Sequence, residues 1–78
     1  MIMKTDKNGN PLEIDNWVID GGRDGFRLAK IIGADKDGDI IVHIRNESFY
    51  EDDPPIWYAH LVLKISEDEA MLHILENS

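Results

Sequence analysis

No cysteine occurs in the chain, which removes disulfides, thiolate metal sites and cysteine nucleophiles together. Bases are scarce as well. Eight Lys and Arg stand against sixteen Asp and Glu, a formal charge of −8 and a pI near 4.6. That balance argues against a nucleic-acid or anionic-membrane surface and favours a basic partner. No apolar run approaches the ~18–20 residues that span a bilayer. Met1 to Asn10 lacks the apolar core of a secretory signal, so a cytoplasmic location is the expectation. Nucleophiles are equally thin: Ser48, Ser66 and Ser78 are the serines, and none sits in a Gly-x-Ser-x-Gly turn. His43, His60 and His73 fall on separate elements with no metal-ligand spacing. Glycines show neither phosphate-loop nor dinucleotide spacing. Accordingly no catalytic residue, metal site or cofactor site is assigned, and the chain is expected to be non-enzymatic.

What remains is one small domain: 78 residues, 42% hydrophobic and 31% charged, enough for a single core. Residues 1–14 read as an extended polar lead-in with a turn at 7–10, signalled by Asn8-Gly9, and residues 15–78 as the domain proper. A strand is predicted at Asn16–Asp20, followed by a glycine-rich loop through Gly21, Gly22 and Gly25. Phe26–Ile32 forms the next strand. A hairpin turn at 34–39, with Asp37-Gly38 its central pair, leads into Asp39–Arg45, where Ile40, Val42 and Ile44 alternate cleanly against Ile41, His43 and Arg45.

Ile56–Ile65 alternates again. Trp57, Ala59, Leu61, Leu63 and Ile65 share the face expected to meet Val42 or Ile44, with His60 and Lys64 outward. The competing pattern is a helix begun by Asp53-Pro54; the alternation outweighs it. Ser66-Glu67-Asp68-Glu69 is a capping box and predicts a terminal helix with an apolar stripe of Ala70, Met71, Ile74 and Leu75, ended by Asn77. A last strand at Ala70–Leu75 is the alternative reading of the same run.

Two segments invite a metal reading, Asp35-Lys36-Asp37-Gly38-Asp39 and Asp6-Lys7-Asn8-Gly9-Asn10. Each resembles the opening of a calcium loop. The first has Ile40 where the sharp turn needs glycine and Asn46 where a bidentate glutamate belongs, and the second runs into Pro11. Both are read as turns. The most unusual segment is the loop Asn46 to Pro55, with four acids and two aromatics in ten residues. Phe49, Tyr50 and Tyr58 with Glu51, Asp52 and Asp53 are the candidate partner-binding residues, since ring faces and carboxylates both attract cations.

Taken together, Asn16-Trp17-Val18-Ile19-Asp20, Phe26 to Gly33 and Gly38 to Ile44 form a pattern that resembles the small SH3-like barrels of the Tudor and KOW type, over about residues 15–65. The resemblance implies a half-open barrel or bent antiparallel sheet of four or five strands, here with a short C-terminal helix. The fold class is therefore mainly β. The leading functional expectation is a small acidic domain that engages a basic protein surface, in its sharper form an inhibitor or nucleic-acid (DNA) mimic of the sort phages and mobile elements encode. The alternatives are a Tudor-like module reading a cationic peptide through the loop aromatics, and a structural subunit of a larger assembly.

Overall fold

A computed structural model describes residues 4–20, 27–45 and 47–76. The chain is mainly β: five antiparallel strands form one curled, half-barrel sheet, and a short helix follows at the C-terminus. The strands are β1 (Trp17–Asp20), β2 (Arg27–Ala34), β3 (Ile40–Ile44), β4 (Ile56–Trp57) and β5 (Val62–Ile65), in the spatial order β4-β3-β2-β1-β5. The glycine loop, Phe26 and Asn77 lie outside the described residues.

Both faces of the sheet are used. Register sets Val18 beside Ala29 and Ala29 beside Ile44, with Ile31 opposite Val42. With Ile40, Val62, Leu12 and Ala59 these side chains fill the concave interior, and Trp57 packs on its rim. The Ile40/Val42/Ile44 alternation is buried as expected, because its period matches the pleat. On the convex face, Ile19, Leu28 and Ile65 meet Ala70 of α1 (Glu67–Glu76), with Trp17, Leu63 and Ile74 at the margin. The Ser66 hydroxyl accepts the Glu69 N–H at 3.1 Å, the predicted cap, while Glu67, Asp68 and Glu69 occupy the positive end of the helix. The predicted stripe is docked only in part: Ala70 and Ile74 pack on the sheet, whereas Met71 and Leu75 are exposed together with Leu72. A single helix crossing a curved surface touches it along a narrow line, so the flanks of the stripe stay in water.

The long strand predicted over 56–65 is broken. Ala59–Leu61 is a 3-10 turn between β4 and β5. Ten extended residues would reach about 33 Å, as long as the 34 Å molecule itself, whereas here the chain must step from one edge of the half-barrel to the other. The turn shifts the phase. Leu61, expected inside, is 56% exposed, and Val62, which the alternation puts on the opposite face with His60 and Lys64, is 1% exposed. Leu63 belongs to the helix-covered face and not with Val42. His60 is exposed as expected, and Lys64 is half-buried.

Residues 4–14 pack against the sheet. Leu12 is in the interior and Asp6 is 3% exposed. The Asp6 carboxylate accepts the N–H groups of Asn8 (2.9 Å) and Asn10 (2.8 Å), the Asn10 side-chain amide (3.2 Å) and the N–H of Lys64 (3.0 Å). With the Lys7 N–H donating to the Val62 carbonyl at 3.1 Å, this segment covers the edge of β5, a position that otherwise offers unpaired backbone to other chains. Burial raises the Asp6 pKa, but the donated bonds from Lys64, Asn10 and Asn8 outweigh it and hold the carboxyl below the usual aspartate range.

The two calcium-like segments are the same turn built twice. In each, the first aspartate's carbonyl accepts from the glycine N–H, its own N–H bonds the carbonyl four residues on, and its carboxylate accepts the N–H groups two and four residues on. Gly9 (φ 83°) and Gly38 (φ 86°) take the left-handed conformation that closes such a turn. The β2–β3 connection, residues 35–39, therefore closes on the Asp35 N–H to Asp39 carbonyl bond, and the central pair of its tight turn is Lys36-Asp37 and not Asp37-Gly38. The Asp35 side chain, by bonding the N–H of Asp39, selects this closure. Asp39 is buried. It accepts the Ala59 N–H at 3.2 Å and faces Lys4 at 3.5 Å, anchoring the start of the 3-10 turn.

Candidate binding site at the barrel mouth

The phase shift at Ala59–Leu61 has a consequence at the surface. Where β4 gives way to β5, Ile56, Tyr58 and Leu61 are all exposed, around a half-buried Trp57. Together with Val62 and Asp20 they line a groove of about 120 Å³. Asp20 and Arg27 are partners across β1 and β2, and the Arg27 guanidinium bonds Asp20 Oδ2 at 2.9 Å. The same guanidinium lies over the Trp57 ring, 5.2 Å from its centroid, a stacking that arginine makes readily. The groove thus has an apolar wall, a carboxylate and an indole whose face is already in contact with a cation.

The loop beside it carries the predicted contact residues. Glu51, Asp52 and Asp53 are exposed, in a turn closed by the Asp53 N–H to the Tyr50 carbonyl at 3.1 Å. Half-buried Pro54 and Pro55 tie the loop to the sheet, the Pro55 carbonyl accepting the Val42 N–H at 3.1 Å. The predicted aromatics are dispersed. Tyr58 lines the groove and contacts His60, with centroids 5.9 Å apart. Phe49 is half-buried against His43 at 5.5 Å, and Tyr50 is exposed. No ring contact joins Phe49, Tyr50 and Tyr58 among the described residues. What sequence reasoning missed is the groove itself, through Asp20, Arg27, Ile56 and Leu61. Opposite charges flanking a six-residue loop at 20 and 27 were a usable signal for a cross-strand pair; the exposure of Leu61 had none.

Among the described residues no three of His, Asp and Glu gather in a metal-binding group, and no helix is long and apolar enough to cross a membrane. Comparison with protein-family models, curated proteins and solved structures finds no match. The geometry of this chain is thus the ground on which a function is argued.

Proposed function

We propose that this domain is a non-enzymatic binding module that takes a basic, partly apolar segment of another protein at the barrel mouth. The observation that carries the reading is the exposed Ile56, Tyr58 and Leu61 around Trp57 and Asp20, next in the chain to three exposed carboxylates. Apolar side chains supply contact area, and the acids steer and orient a cationic partner. The Arg27–Trp57 stack supports the reading, because an incoming arginine would find the same kind of ring face at the groove. Nucleic-acid mimicry is less well supported, since Asp6, Asp35, Asp39 and Asp20 are engaged within the fold and cannot stand in for a phosphate row. A Tudor-like reading survives in reduced form, with Tyr58 and Trp57 as the ring contacts in place of a loop cage.

The test is affinity for the partner captured by immobilised domain from its native cell, measured at low and high salt. Reversing Asp52 and Asp53 to lysine is expected to weaken binding at low salt, and Leu61→Ser to weaken it at any salt. Neither exposed position should disturb folding. Affinity indifferent to salt and to both variants overturns the proposal. The structural-subunit reading draws on a different surface, exposed Met71, Leu72 and Leu75 of α1, and predicts that Leu72→Ser, not Leu61→Ser, abolishes the interaction.

A further inference from the structure

The convex face holds a second hollow whose chemistry opposes that of the whole chain. Trp17, Lys30 and His43 stand in one row across β1, β2 and β3, and with Arg45 they line a surface pocket of about 260 Å³. Helix α1 covers Ile19, Leu28 and Ile65 and reaches only the margin at Trp17, so the row beyond stays open. The parts are held in place. Lys30 Nζ lies 5.4 Å from the centroid of the Trp17 ring, and the exposed His43 imidazole leans on Phe49 at 47°. Neither Lys30 nor Arg45 is in an ion pair among the described residues; the two ion pairs join Lys4 to Asp39 and Arg27 to Asp20. In a chain of sixteen acids and eight bases, a hollow lined by two cations, an imidazole and an indole is a concentration of the minority charge; the carboxylates of Asp15 and Glu67 line the adjoining hollow on the far side of Trp17 and Lys30.

From this we infer that the pocket binds a small flat aromatic anion, one ring system bearing a phosphate or a carboxylate. The Arg45 fork pairs with either group in bidentate fashion, and Lys30 adds a point charge. The exposed imidazole offers a flat wall for the ring, and Lys30, which lies over the indole, frees a second wall when it turns to the anionic group. A net charge of −8 repels a long polyanion, but screening over ~8–10 Å leaves a ligand of one or two charges to be governed by its immediate neighbours. At about 260 Å³ the hollow falls just below the usual lower bound of about 300 Å³ for ligand pockets, so one ring system is the largest ligand it suits.

The experiment follows the two indole N–H signals of the isotope-labelled 78-residue chain by NMR. It is titrated separately with adenosine monophosphate, indole-3-acetate, adenosine and inorganic phosphate. Trp17, and not Trp57, should shift saturably with one of the two aromatic anions at a Kd below about 1 mM, and the tighter of them identifies the anionic group. Adenosine and phosphate alone should bind at least about tenfold more weakly. The double variant K30E/R45E should abolish the shift, and Arg45→Gln, a milder change, should weaken it. A Trp17 signal unmoved by either aromatic anion at about 10 mM overturns the inference, as does an equal response to adenosine or an unaltered response in both variants.

Discussion

Replacing Asp6 tests the internal logic of the fold more sharply than any core truncation. Its carboxylate accepts four hydrogen bonds. Two of these close its own turn, and one reaches 58 positions along the chain to Lys64. Asp35 provides a natural control, because its carboxylate makes the same two bonds within the same turn and, among the described residues, no long-range bond. Bonds to a charged acceptor contribute roughly 1.5–3 kcal/mol each when their donors are left unmet, but donors near the surface recover water. Counting the Lys64 N–H fully and the turn donors in part gives about 2–4 kcal/mol for Asp6→Ala and about 1 kcal/mol for Asp35→Ala. The larger figure is a substantial share of the ~5–15 kcal/mol that stabilises a typical domain.

Urea unfolding followed by tryptophan fluorescence measures both variants. Asp6→Asn separates charge from shape, since its amide sets a donor against donors and should still be costly. The pH dependence gives an independent check. Asp6 is held below its unfolded value of about 3.9. Its contribution is therefore complete above that value and is lost as pH falls through the lower, folded one. Stability of the native chain should decline across that acid window, and the Asp6→Asn chain should decline less. Equal cost for Asp6→Ala and Asp35→Ala would refute the claim that the Lys64 bond closes the sheet edge.

The corrected phase of β5 makes Val62→Ala cost about 2 kcal/mol, from lost burial and a residual cavity, while Leu61→Ala stays within about 0.5 kcal/mol. Thermal melts that rank the two the other way would restore the unbroken strand. Ser66→Ala should cost about 1 kcal/mol, and Ser66→Asp, which keeps the acceptor, should recover most of it; equal loss in both would show that the hydroxyl caps nothing.

Local chemistry was legible in the sequence and long-range closure was not. Ile40 to Ile44 announced its facing because period two and a one-sided core coincide there. Ser66 announced the helix because a cap needs only the next three residues. Ile56 to Ile65 misled for the same reason that made it persuasive. Its alternation is real in β4 and again in β5, but the two halves are out of phase, and the residue that resets them, Asp39, lies 20 positions away. Asp6 was hidden in the same way, since an Asp-x-Asn-Gly run reads as a surface turn whether or not its second oxygen has a partner across the molecule. Of the candidate site, the acids and Tyr58 were visible as composition. The groove was not, because it exists only where two sheet edges meet.

Those distant contacts also change what the charge of −8 means. Asp6 and Asp39 are interior, and Asp35 and Asp20 are committed to turn and ion pair, so part of the acid excess is consumed in holding the fold. The free remainder is not spread evenly. Glu51, Asp52 and Asp53 crowd one loop beside the mouth, and Glu67, Asp68 and Glu69 crowd the helix start. Lys30 and Arg45 sit together on the convex face. A molecule with so uneven a charge distribution does more than attract cations. It turns as it approaches, because a patchy field exerts a torque that a uniform one does not. On the proposed reading, this field would steer a basic partner toward Glu51, Asp52 and Asp53, and so toward the neighbouring Ile56, Tyr58 and Leu61.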